Sequence, residues 1–188
     1  MQRITGNVAE WLIQNKAIEE SERELYEYAV HSLIMLIAPL PMALGIGWLF
    51  GELEMSIVLI LPFMILRKFS GGYHAKKQWI CFIISSLLLA VCFGLAEVLE
   101  AGPTLSLIVA LSAVCLAIFS PVDSENRRLS PEEQKEFGKT ARILVVIFVM
   151  VYVVLILLEK HTSAVYLALG IILPAVLQLP CILQKKTE

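Results

Sequence analysis

The chain has 188 residues and a formal charge of −2, with 58% apolar residues and a mean hydropathy of +0.78. Soluble domains hold about 45–50% apolar residues, and a chain this short cannot bury such an excess in one aqueous core, so the composition points to a bilayer as solvent. The basic residues fall in separate clusters between apolar runs and form no stripe, which argues against a nucleic-acid partner.

Residues 1–29 are too polar to cross a bilayer. Ile4, Val8, Trp11, Leu12, Ile18 and Leu25 recur at helix-like intervals and predict one apolar stripe. Ser21 and Glu24 have the spacing of a capping box, so two short helices are expected. The segment is read as a cytoplasmic amphipathic helical segment. It would lie in the inner interface or pack on the cytoplasmic ends of a helix bundle. No secretory leader pattern is visible in it.

Residues 30–188 read as one membrane domain with six apolar runs: Val30–Phe50, Leu53–Leu66, Trp79–Leu99, Thr104–Ser120, Ala141–Leu158 and Ala164–Leu183. A crossing helix needs about 20 residues. The second run is short and carries Pro62, which leaves a re-entrant segment open on length alone. Charge decides for a crossing. If all six runs cross and the N-terminus is cytoplasmic, fourteen of the fifteen Lys and Arg residues fall inside and only Lys160 falls outside. Glu52, Glu54, Glu97, Glu100 and Glu159 fall at or near the outer side. The expectation is therefore an all-α integral membrane protein with six transmembrane helices and both termini in the cytoplasm.

The longest internal polar stretch, Pro121–Thr140, lies inside in this topology. Within it Ser130-Pro131-Glu132-Glu133 reads as a helix start: a serine cap, proline at the first helical position and acids in the first turn. The four cysteines, Cys81, Cys92, Cys115 and Cys181, show no CxxC or metal-ligand spacing, so neither a disulfide scaffold nor a metal site is expected. Cys92 and Cys115, inside apolar runs, read as small hydrophobes.

The stretch Arg67–Phe82, "RKFSGGYHAKKQWICF", combines an arginine, a glycine pair, His74 and Cys81 at the inner face. A thiolate is the nucleophilic form of cysteine, and its pKa falls beside a cation or at a helix N-terminus. Cys81, near the start of the third run, has both within reach, and His74 could take the thiol proton. A straight helix would hold the two about 10 Å apart along its axis, too far for a hydrogen bond. A working pair therefore needs the helix to start after His74, with Gly71-Gly72 supplying the reversal. The plain alternative is a glycine turn between two spans, an interfacial histidine and a packing cysteine. His31 and His161 read as interfacial.

Arg67, Ser70-Gly71-Gly72-Tyr73-His74-Ala75 and Cys81 resemble the signature of the accessory gene regulator B (AgrB) family, integral-membrane cysteine peptidases of Gram-positive bacteria. The resemblance extends over the chain: a polar N-terminal helix, six spans and a basic cytoplasmic loop around Asn126-Arg127-Arg128. It implies a thiol protease of the cell membrane that acts in quorum sensing and needs no cofactor. Its partner would be a precursor peptide of the AgrD type, with an amphipathic leader, a central signal sequence and an acidic tail. His74 and Cys81 would be the catalytic dyad. Arg67, Gly71 and Gly72 would support the active-site turn, with Lys68, Arg127 and Arg128 available to an acidic tail. Asp123 is a candidate to orient His74. The resemblance also implies a homodimer. The competing class is a small six-helix transporter or channel. Against it, no span carries an internal acid or base of the kind that marks an ion path. A lipid-modifying enzyme is disfavoured because no acid cluster for metal-bound phosphates occurs.

Overall fold

The computed structural model describes residues 2–15, 17–71, 78–122 and 130–185, with side chains at 5–15, 17–30, 33–34, 37–71, 83–122 and 130–181. The described residues form eight α-helices and one 3-10 turn, with no strand among them. The chain divides into two compact units, Met1–Pro41 and Met42–Glu188.

In the first unit α1 (Gln2–Gln14) packs against α2 (Arg23–Ile37). Ala9 is fully buried and Ile18 nearly so, but Trp11 and Leu25 of the expected apolar stripe are 61% and 64% exposed, so that stripe is not the face these helices bury against each other. The link between the helices differs from the expected Ser21–Glu24 cap. The 3-10 turn Glu20–Glu22 is capped by Glu19, two residues earlier, so Ser21 lies inside it and donates to the Glu19 carboxylate at 3.3 Å. Glu22 accepts from the Glu19 N–H at 3.1 Å in its place. Arg23 pairs with Glu20 at 3.2 Å and Glu27 at 3.1 Å, and the Glu27 and Glu20 carboxylates raise its already high pKa. α2 runs without a break across the polar-to-apolar boundary at 29/30.

The first apolar run is not one helix. α2 ends at Ile37, Ala38 donates its N–H to Ile34 at 2.8 Å, and α3 (Pro39–Leu49) begins at the next residue. Pro39 and Pro41 have no N–H to continue the ladder, which accounts for the division.

The second unit holds α4 (Leu53–Ser70), α5 (Gln78–Val98), α6 (Pro103–Phe119), α7 (Pro131–Leu157) and α8 (His161–Lys185). α4 is continuous through Pro62, and its 18 residues span about 27 Å. The contacts show that successive helices alternate in direction. Met42 near the start of α3 accepts from Ser86 early in α5, and the Phe50 ring beyond α3 stacks on Phe93 late in α5 at 5.6 Å. Ser106 in the first turns of α6 bonds Tyr152 near the end of α7 at 3.0 Å. Ser163 at the start of α8 faces Met55 at the start of α4.

α8 is the central element and packs against α4, α5, α6 and α7. Its stretch from Ala164 to Ala175 is almost wholly buried. α4 and α8 meet where Gly170 removes a side chain. A Cβ there would come within 2.6 Å of the Leu59 carbonyl and 2.7 Å of Pro62 Cγ. Gly170→Ala is therefore expected to lower stability by about 1–3 kcal/mol through overpacking. Gly94→Ala, with nothing within 4 Å, should be neutral or slightly stabilising. Thermal unfolding in detergent compares the two.

α7 begins as the sequence predicts. Ser130 Oγ accepts from the Glu133 N–H at 3.2 Å, and the Glu133 carboxylate accepts from the Ser130 N–H at 2.9 Å. The helix then continues from polar loop into apolar run without interruption, 27 residues in all. Among the described residues two helical segments are long and apolar enough to cross a bilayer: Pro131–Leu157, with mean hydropathy 2.8, and His161–Cys181, with mean hydropathy 2.0. Only 17% of the first is buried, against 72% of the second. Ile147, Met150 and Val154 of α7 point away from the protein, as expected of a helix whose outer face is solvated by lipid. Pro39–Leu49, Ile83–Val98 and Pro103–Phe119 are shorter apolar stretches.

Candidate active site

Alternating direction brings the end of α4, the end of α6, the start of α7 and the end of α8 to one end of the second unit. Arg67, Lys68, Lys135, Lys139 and Arg142 lie there, while Glu52, Glu54, Glu97, Glu100 and Glu159 lie toward the other. The glycine-histidine stretch leaves from the basic end.

α4 stops at Ser70 because Gly71 turns the chain. Gly71 has φ 71° and ψ −157°, a backbone region open almost only to glycine. Its N–H donates to the Arg67 carbonyl at 3.2 Å and closes the helix. Gly71 then forms an isolated parallel bridge with Val122. The Val122 N–H donates to the Ser70 carbonyl at 2.9 Å. Two separate departures of the chain, one after α4 and one after α6, are thus joined by main-chain contacts. Gly138 of α7 lets that helix approach, since a Cβ there would be 3.2 Å from Pro121 Cδ and from the Ser120 carbonyl. Arg142 Nε donates to the Ala117 carbonyl at 3.2 Å, and Phe137 meets Phe69 edge-on at 5.6 Å.

Below this junction lies Gln178, a residue that sequence reasoning passed over. It is fully buried, and its Nε2 donates to the Ser70 carbonyl at 2.7 Å and to Ser120 Oγ at 3.0 Å. Ser70 and Ser120 are themselves buried. A carbonyl only accepts, so the Ser70 contact sets which amide atom is the nitrogen. Among the described residues Gln178 Oε1 has no hydrogen-bond partner. Each bond contributes about 0.5–1.5 kcal/mol net, while a buried acceptor left unpaired costs about 1–3 kcal/mol. These terms roughly offset, so stability alone is a weak reason for the amide. One signal could have exposed it: an amide inside the apolar stretch "LPAVLQLPCIL" is out of place for lipid-facing packing.

Of the residues singled out from sequence, Arg67, Lys68 and Gly71 lie at this junction. Lys68 is exposed and Arg67 half-buried. Cys81 is the fourth residue of α5, and its side chain lies outside the described set. Gly72, His74, Asp123, Arg127 and Arg128 lie outside the described residues. Chain connectivity still limits two of them. His74 follows Gly71 by three residues, at most about 11 Å of extended chain. Asp123 follows Val122 directly, so both are tethered to one bridge. Cys92 and Cys115 are far along their helices, in keeping with packing roles. No group of three or more metal-ligating side chains occurs among the described residues. A shallow apolar groove of about 240 Å3 between α6 and α7, lined by Ser106, Val109, Tyr152 and Ile156, lies toward the other end.

The model of the accessory gene regulator B family matches residues 5–181. The chain belongs to the accessory gene regulator B family. Similar proteins include Putative AgrB-like protein 2 of Clostridium perfringens strain 13, 21% identical over 87% of this chain and 80% of its own length. Putative AgrB-like protein of C. perfringens strain SM101 is 22% identical over 74% of this chain and 70% of its own length. Protein FsrB of Enterococcus faecalis is 23% identical over 74% of this chain and 57% of its own length. No solved structure matches the chain. The family match spans both units, so the glycine-histidine stretch and the Ser70–Val122–Gln178 junction belong to the part that makes this chain an accessory gene regulator B protein.

Proposed function

We propose that the protein is a cysteine endopeptidase of the bacterial cell membrane that removes the tail of a quorum-sensing precursor peptide and promotes its cyclisation. The observation that carries this reading is a family match over residues 5–181 in a chain that bears Arg67, Gly71-Gly72, His74 and Cys81 in order from the last turn of α4 to the first turn of α5. Six crossings with the basic end in the cytoplasm agree with the alternating helix directions and with the positive-inside rule. Both termini and the dyad then face the cytoplasm, the side where a newly made precursor is found. The expected assembly is a homodimer in the lipid bilayer, with the apolar outer face of α7 open to lipid.

The chemistry follows from the residue types. Cys81, in the first turn of α5, has the positive end of the helix dipole beneath it, and cations at Arg67, Lys68, Lys76 and Lys77 are near in sequence. Both influences favour the thiolate. The thiolate attacks the carbonyl joining signal and tail. His74 holds the thiol proton and returns it to the amine of the departing tail. This leaves the signal peptide as a thioester on Cys81. A cysteine or serine within the peptide then attacks the thioester carbonyl, its proton passing through His74 to the Cys81 sulfur. The product is a thiolactone or lactone ring. Amide N–H groups at the start of α5 are the natural donors to the oxyanion. Water must be kept from the thioester, or the linear acid forms instead. A sulfur recessed at the membrane edge meets that need. Converting an amide to a thioester is uphill, so loss of the tail or the product draws the sequence forward. Lys68, Arg127 and Arg128 are the proposed contacts for an acidic tail, and Asp123 for orienting His74.

A precursor whose internal cysteine is replaced by alanine tests the reading. Tail release should then stop after one turnover, with the leader-signal portion on Cys81 as an adduct that hydroxylamine removes. Absence of both adduct and tail release would refute the peptidase. His74→Ala should slow adduct formation on the order of 10²–10⁴-fold, the usual worth of general acid–base catalysis. Stopped reactions resolved by mass spectrometry give the rate.

A further inference from the structure

The geometry points to Gln178 as a positioning residue of the peptidase: its buried amide ties the departure from α4 to the departure from α6 and thereby sets where the catalytic stretch begins. This inference rests on the peptidase reading above. Three observations carry it. First, one amide nitrogen spans the two departures, at 2.7 Å from the Ser70 carbonyl and 3.0 Å from Ser120 Oγ. Second, the Ser70 carbonyl also accepts the Val122 N–H at 2.9 Å, so the amide and the Gly71–Val122 bridge share one acceptor. Third, Gln178 is fully buried and its Oε1 has no partner among the described residues. A side chain retained only for packing would be served as well by methionine or leucine, without the unpaired oxygen.

The amide therefore acts on catalysis through the backbone. Ser70 is four residues before His74, and Gln178 reaches it from α8, the most deeply buried helix of the unit. A shift of the Ser70 carbonyl moves the origin of the stretch that must return over the start of α5. Misplacement of a reacting group by about 1 Å lowers rate by up to 10²-fold. Lys68, the described cation among the proposed tail contacts, stands on α4 ahead of Ser70, so its contact does not depend on the amide and binding is largely spared. The inference thus predicts a change in kcat with little change in KM.

The test uses the full chain in proteoliposomes with a tailed precursor. Wild type, Gln178→Met, Ser120→Ala and Cys81→Ala are compared for kcat and KM of tail release. Precursor affinity is measured separately in the Cys81→Ala background, with and without Gln178→Met. Gln178→Met, which keeps length and volume but loses the donor, should lower kcat about 10- to 100-fold with KM and precursor affinity within about threefold. Ser120→Ala, which removes only one of the two acceptors, should lower kcat by less, about threefold. Equal kcat for Gln178→Met and wild type overturns the inference. So does joint loss of affinity and catalysis, or failure to fold, because the amide would then serve the fold alone. If wild type and Cys81→Ala release tail equally, the peptidase reading itself fails, and that outcome is recognised without reference to Gln178.

Discussion

Cys81→Ala is expected to abolish tail release, by about 10⁴-fold or more, the loss typical when a covalent nucleophile is removed. The size of the effect follows from the scheme: without the sulfur there is no thioester, and without the thioester the ring-closing attack has no target. Cys81→Ser should also be severely slowed, because an alcohol near a histidine is a far weaker nucleophile than a thiolate in this setting. The comparison is informative because other cysteines are at hand in the same molecule. Cys92 is buried and Cys115 half-buried, both within apolar helices. Cys92→Ala and Cys115→Ala should keep tail release within about threefold, with a stability cost for Cys92 of roughly 1 kcal/mol from the small cavity left. Co-expression with a tailed precursor, read by the size of the peptide, ranks all four variants. A transporter would show no division between Cys81 and the others.

Gly71→Ala should also be damaging, by a smaller factor and for a different reason. At φ 71° and ψ −157° a side chain costs about 1–3 kcal/mol in backbone strain alone. A Cβ would also run into the Val122 carbonyl, a rigid main-chain atom that cannot swing aside. The cheapest relief is to open the Gly71–Val122 bridge, which separates the two departures that Ser70 and Gln178 hold together. Tail release should fall at least about 10-fold, together with a drop in thermal stability. Gly51 supplies the control. It also has a positive φ, 74°, but a Cβ there meets nothing within 4 Å. Gly51→Ala should cost about 1–2 kcal/mol of stability and leave tail release intact. If Gly51→Ala and Gly71→Ala lose activity equally, strain in general is responsible and the bridge is not.

Much of the second unit was legible because hydropathy and charge report directly on helices in lipid. The five apolar runs from Leu53 onward match α4 to α8, three of them overshooting the helix end by one residue, and Ser130 caps α7 by the spacing its sequence displays. The first run misled because continuous hydropathy hides a missing backbone donor: Val30–Phe50 is apolar throughout, yet Pro39 divides it. Ser21 misled for a similar reason, since capping-box spacing does not say which of two overlapping pairs, Glu19–Glu22 or Ser21–Glu24, the chain will use. At the site, the glycine after Ser70 was recognisable as a turn, and Gly71 does end α4. The junction beneath them was not. The Ser70–Val122 bond links residues 52 positions apart in the numbering, and Gln178 comes from a third helix. No local pattern encodes such a meeting. A glutamine in an apolar run indicates only that some polar partner waits inside.

The bridge between Gly71 and Val122 is made of peptide groups, and the far border of the second connection is secured by the cap at Ser130. Neither fastening reads the identity of the residues between them. The two fastenings themselves use no side chain from positions 123–129. Under the proposed function, contacts to the peptide tail made from this connection can vary while both of its borders stay held.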